Sequence, residues 1–185
     1  MIYVIWAIVF VLGIWVISTY NGLTALRLRI QNAWRQIDVQ LKRRYDLIPN
    51  LVETVKGYMQ YEQDTLQKVI DARSQAMAAK GVKESAEAQT ALTQSLSKVF
   101  ALMENYPELK ASKNVLDLQE ELTTTENQIA FARQYYNDLV TQYNTQQQVF
   151  PSNMLAGLFG FKPSEFFEVA EAEKTLPRVN LSLTR

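Results

Sequence analysis

"QLKRRYDLIPNLVETVKGY", residues 40–58, has the spacing of one amphipathic helix with a proline inside it. Leu41, Tyr45, Ile48, Val52, Val55 and Tyr58 recur at helical intervals. Pro49 has no N–H to donate to the carbonyl of Tyr45, and its ring crowds that carbonyl. A proline in a helix interior costs about 3 kcal/mol relative to alanine. Two readings accommodate it. In one, a single helix kinks at Pro49 and the freed Tyr45 carbonyl takes an arginine or another donor. In the other, a new helix starts with Asp46 as N-cap and Pro49 in its first turn. The stripe Leu26, Ile30, Trp34, Ile37, Leu41, Tyr45, Ile48, Val52, Val55, Met59 keeps its phase through Pro49, which favours the kinked helix.

Upstream, "IYVIWAIVFVLGIWVIST", residues 2–19, carries no charge. As a helix it is about 27 Å long, close to the hydrocarbon thickness of a bilayer. Tyr3, Trp6, Trp15 and Tyr20 supply interfacial aromatics. No basic residue precedes the run and "STYNGL" is a poor cleavage site, so a retained single-pass anchor is expected rather than a signal peptide. Arg27, Arg29 and Arg35 follow it, which predicts a cytoplasmic body and an external N-terminus.

Downstream, the first helix is expected to run to Ala79, with residues 21–80 spanning about 87 Å. A turn at Gly81 and a cap at Ser85 introduce a second helix over 86–105, with Leu92, Leu96, Val99 and Met103 inward. Pro107 interrupts, and Ser112 caps a third helix running to Val149 with Leu118, Leu122, Ile129, Ala132, Tyr136, Leu139 and Tyr143 inward. "FPSNMLAGLFGFKPSEFFEV" reads as a loop with a short apolar helix, followed by a short helix from Ser164 and an irregular tail after Pro177. The expected architecture is all-α: an anchor over 1–20, an antiparallel bundle over 21–149 with a long Pro-kinked first helix, and a C-terminal loop, short helix and tail over 150–185. Because the first helix exceeds its partners, self-assembly into a homo-oligomer is expected.

Composition narrows the chemistry. The 185 residues include neither cysteine nor histidine. That removes thiolate nucleophiles, disulfides, Cys/His zinc sites and any histidine acid–base step. The net charge is zero, but the N-terminal third is basic. Its cations follow the apolar run directly, so a membrane surface is the expected partner and nucleic acid is not.

"YNGLTALRLRIQNAW", "IDVQLKRRYDLIPNLVETVKGY", "YPELKAS", "TENQIAFARQYYNDLVTQYN" and "FPSN" together resemble the LemA family, in the same order along nearly the whole chain. "RRYDLIPNLV" (Arg43, Arg44, Tyr45, Asp46, Pro49 and Asn50 within it) is the most specific of these runs. The resemblance implies a bacterial protein with one N-terminal membrane helix and a helical-bundle body, in the cytoplasmic membrane. It implies a fold rather than a reaction. Some members sit beside membrane proteases or serve magnetosome-type membranes, which implies membrane organisation or envelope quality control. Where many relatives have His-Glu, this chain has Tyr61-Glu62, and Ser112 replaces a common asparagine.

The polar candidates carry two meanings each. Lys42, Arg43, Arg44 and Asp46 form a solvated helix face or a docking rim. Glu126, Arg133, Tyr136 and Asn137 form an interhelical network, with Arg44 or Arg43 across from Glu126. A carboxylate metal site from Asp117, Glu121 and Glu126 is the weaker alternative, since di-iron bundles add histidines that this chain lacks. Residues 154–161, with Leu158 and Phe159, fold onto the bundle end or form an exposed patch for a partner or the bilayer. No catalytic residue, metal or cofactor is expected. The expected function is a non-enzymatic membrane-anchored scaffold or adaptor; a regulator or partner of a membrane protease and a carboxylate-dependent enzyme are the alternatives.

Overall fold

The computed structural model describes residues 1–168. Those residues form helices and no strand: α1 Ile2–Lys56, α2 Gln63–Ala78, α3 Gly81–Met103, α4 Pro107–Ala111, α5 Lys113–Gln148 and α6 Ser152–Leu158. Residues 161–168 then run without helix.

The apolar N-terminal run and the body share one helix. α1 continues unbroken for 55 residues, about 82 Å, through both the end of the apolar run and Pro49. The reading with a fresh start at Asp46 is therefore overturned; Asp46 lies mid-helix and exposed. Residues 2–14 are exposed on every side, and this end of α1 is long and apolar enough to cross a membrane.

The expected extension to Ala79 is also corrected. The chain reverses over residues 57–62, with Met59 fully buried in the turn. Apolar positions before and after the reversal face the same core, so the stripe passes through it without a phase change. This removes the overlong helix on which self-assembly was argued. Residues 20–56 of α1 cover about 55 Å and the 36-residue α5 about 54 Å, so the two match in length. They run in opposite directions: Gly22 lies beside Gln146, the rings of Trp34 and Tyr136 are 5.7 Å apart, and Arg43 meets Glu121 at 2.8 Å.

α2 and α3 form a hairpin against the other side of α1. Gly81 opens α3 in the left-handed region, at φ 81°. Glu84 accepts from the Lys80 backbone N–H at 2.9 Å, so the helix starts ahead of Ser85, which is buried in it rather than capping it. The "YPELK" run is itself a helical turn, α4, with Pro107 in the first position where its missing N–H is harmless. Ser112 stands at the N-cap of α5, but its side chain makes no capping hydrogen bond. The helix expected from Ser164 is absent over the described part of that segment, residues 164–168. The continuation of that segment and the tail after Pro177 lie outside the described residues.

The stripe residues of α1, α3 and α5 all turn inward, wholly or in part. α1 buries more than its stripe, adding Leu23, Ala33, Arg44, Leu47 and Leu51. It has helices on two sides, so an apolar face wider than one seam is covered.

Candidate functional site

The residues singled out from the sequence separate into two clusters and an exposed end. The first is built around Arg44, Tyr45 and Pro49. Pro49 leaves the Tyr45 carbonyl without its helical donor. Arg73 of α2 supplies one: its Nε donates to that carbonyl at 2.7 Å. A buried carbonyl left unpaired would cost about 1–3 kcal/mol.

One position earlier, the Arg44 guanidinium is almost fully buried, at 4% exposure. Its Nη1 donates to Gln89 Oε1 at 3.1 Å and its Nη2 to Thr93 Oγ1 at 2.8 Å, both on α3. Glu126 of α5 lies 2.9 Å from Nη2 as an ion contact, its inward oxygen receiving no aligned hydrogen bond. Gln89 also donates to the Tyr45 hydroxyl, which in turn donates to the Ala76 carbonyl at 3.2 Å. Two adjacent residues of α1 thus tie together α2, α3 and α5. Burial lowers the Arg44 pKa, with the Glu126 charge opposing it, and burial raises that of Tyr45 against the hydrogen bond from Gln89. A cavity of about 180 Å³ adjoins Arg44, Thr93 and Glu126. Among the described residues Glu126 is the one carboxylate in its wall. Glu121 is drawn instead to Arg43 on the surface. Asn50 is exposed, and its carbonyl accepts from the Thr54 hydroxyl at 2.7 Å.

The second cluster holds residues 161–168 along α5. Asn137 accepts from the Phe167 N–H at 2.9 Å and donates to the Phe167 carbonyl at 3.1 Å. Asn144 does the same to Ser164, at 2.9 Å each way. Seven residues of helix advance about 10.5 Å and three residues of extended chain about 10 Å, so two amide clamps stay in register. Tyr136 donates to the Glu165 carbonyl at 2.9 Å. Phe167 is buried, with Trp34 at 5.8 Å and the Arg133 guanidinium 5.9 Å above its ring. Among the described residues Glu126 faces Arg44 and shares no contact with Arg133, Tyr136 and Asn137, which face residues 165–167. Arg73, Gln89, Thr93 and Asn144 were not singled out from the sequence. Only Asn144 had a signal there: its heptad spacing from Asn137.

At the far tip, Tyr106 of "YPELKAS" donates to Glu62 at 2.6 Å, tying that stretch to the reversal at residues 57–62. At the opposite end, Leu155 and Ala156 of α6 are buried against the bundle while Met154, Leu158 and Phe159 are exposed.

The chain is similar to proteins described as LemA and MamQ. It is 28% identical to "Protein LemA" of Metamycoplasma hominis over 146 residues, which cover 78% of this chain and 67% of that protein. "Magnetosome protein MamQ 2" and "Magnetosome protein MamQ 1" of Paramagnetospirillum magneticum are each 23% identical over 182 residues, covering 84% of this chain and 67% of theirs. The LemA family profile matches residues 33–181, which include both polar clusters. The chain belongs to the LemA family.

Proposed function

We propose that this protein is a membrane-anchored helical scaffold of the bacterial cytoplasmic membrane that assembles laterally with copies of itself and works by binding rather than by catalysis. The observation that carries the reading is an open apolar groove on the flank of the α1–α5 pair. Val39, Phe131 and Tyr135 line it and are 64%, 71% and 50% exposed. Gln40 Oε1 is buried there without a hydrogen-bond partner among the described residues. An exposed aromatic patch with an unmet polar group fits a protein contact. Copies held in one membrane share height and orientation, so each presents this groove at the same level, about 22–28 Å beyond Tyr20. Arg35 lines the groove and Asp38 lies one helical turn away, opposite charges suited to a self-complementary contact. The likeness to proteins named for the magnetosome supports a role in organising a membrane.

The test is the mass of the full chain in mild detergent beside a Phe131→Asp variant. The expected result is a discrete oligomer that the substitution reduces to a single chain. A monomeric parent, or an oligomer that survives Phe131→Asp, overturns the reading. Orientation is tested separately, because the chain has no native cysteine. Tyr61→Cys, at the exposed far tip, is expected to resist an impermeant maleimide in intact cells and to react after lysis. Labelling of intact cells would place the body outside.

A further inference from the structure

The apolar patch on α6 lies where α1 leaves the membrane. Tyr20 follows the uncharged run directly, and its ring packs edge-on against Phe159 at 5.0 Å and against Phe161 at 5.6 Å. That contact fixes the height of α6 against the anchor. Tyrosine at this position belongs to the headgroup level of a bilayer. Leu155 and Ala156 attach α6 to the bundle. On the outer side Phe150, Met154 and Leu158 are 79%, 67% and 76% exposed. A short helix apolar on both faces suits a boundary that is protein on one side and acyl chain on the other.

Charge at this end has one sign among the described residues. Residues 20–30 and 139–164 hold Arg27, Arg29 and Lys162 and no acidic residue, and the first carboxylates, Asp138 and Glu165, come near the level of Trp34. Lys162 adjoins Phe161, which touches Tyr20. A cation beside inserted apolar side chains fits an anionic headgroup surface.

We propose that α6 is a second, monotopic membrane contact. Phe150, Met154 and Leu158 enter the interface of the same leaflet from which α1 emerges, with Lys162 at the headgroup phosphates. The bundle then stands on two points, anchor and foot, which sets its tilt and the facing of its flank. The inference rests on the reading of residues 2–19 as a membrane span.

Single cysteines introduced into the full chain test this in bilayer nanodiscs of phosphatidylcholine and phosphatidylglycerol carrying one protein copy each. Val9→Cys, Leu158→Cys and Tyr61→Cys each take an environment-sensitive fluorophore, and a lipid with a nitroxide near its headgroup is the quencher. The expected result is a blue-shifted Leu158 probe quenched several-fold more than the Tyr61 probe, with the Val9 probe confirming the span. A blue-shifted Val9 probe with a Leu158 probe no more quenched than Tyr61 overturns the foot while leaving the anchor intact. A blue-shifted Leu158 probe that no lipid quencher reaches also overturns it, and assigns the patch to protein contact. A Val9 probe in water removes the anchor reading on which both proposals stand.

Discussion

The guanidinium of Arg73 reaches across from α2 to the carbonyl of Tyr45, the carbonyl that Pro49 deprives of its helical hydrogen bond. A defect written into one helix is thereby satisfied by its neighbour, and the pair locks α2 onto α1. Pro49 then does more than interrupt a ladder. It exposes a backbone acceptor at the level where α2 returns.

The two residues are therefore expected to be energetically coupled. Arg73→Met should destabilise the chain by about 1–3 kcal/mol, the cost of an unpaired partly buried carbonyl. In a Pro49→Ala background the N–H of residue 49 can take that carbonyl back, and Arg73→Met should cost much less. Urea unfolding of the four variants, followed by helical circular dichroism, reads the coupling directly. Additive effects would mean that Arg73 acts through something other than this carbonyl.

Gln89 should matter more than Glu126, although Glu126 carries the charge. Gln89→Leu removes an acceptor from buried Arg44 and a donor from Tyr45, with an expected loss of about 2–3 kcal/mol. The Glu126 side chain is 45% exposed, so Glu126→Gln should cost about 1 kcal/mol or less. Unfolding midpoints of the two variants decide the order.

The asparagine clamps predict a local effect. Asn144→Ala should release the backbone of Ser164, and Asn137→Ala that of Phe167, each at about 1–2 kcal/mol. Hydrogen exchange is expected to speed up over residues 164–168 while α2 and α3 keep their protection. Loss of protection throughout the bundle would show that this segment supports the whole core.

Alkaline pH should unfold the protein earlier than its helices alone would. Burial is the leading cause raising the phenols of Tyr45, Tyr136 and Tyr143. The unfolded chain loses those protons near pH 10, and the folded chain holds them higher. Their contribution is full below about pH 10 and is lost as pH rises through the folded values. Urea midpoints between pH 8 and 11 should fall at the upper end, and Tyr45→Phe should make the fall shallower.

Several of these features could be read one residue at a time. The uncharged run, the inward stripes and the orphaned Tyr45 carbonyl follow from composition, period and backbone arithmetic. Asp46 was legible only as an ambiguity, since a residue three before a proline suits a cap or a helix interior equally. The reversal at residues 57–62 gave no warning because the apolar period continues across it. The α6 segment showed its apolar content but not its division into a buried side and an exposed one.

The sequence by itself determined that this is an all-helical chain with a span-like N-terminus and an interior free of cysteine and histidine chemistry, because those properties reside in single residues and their period along one helix. Only the tertiary structure decided that Arg73 answers Pro49, that Gln89 and Thr93 hold Arg44, that Asn137 and Asn144 grip residues 164–167, and that α6 stands beside Tyr20. Each of these joins positions tens of residues apart. Their meeting depends on where the chain reverses and how helices of matched length slide into register, which no local pattern encodes.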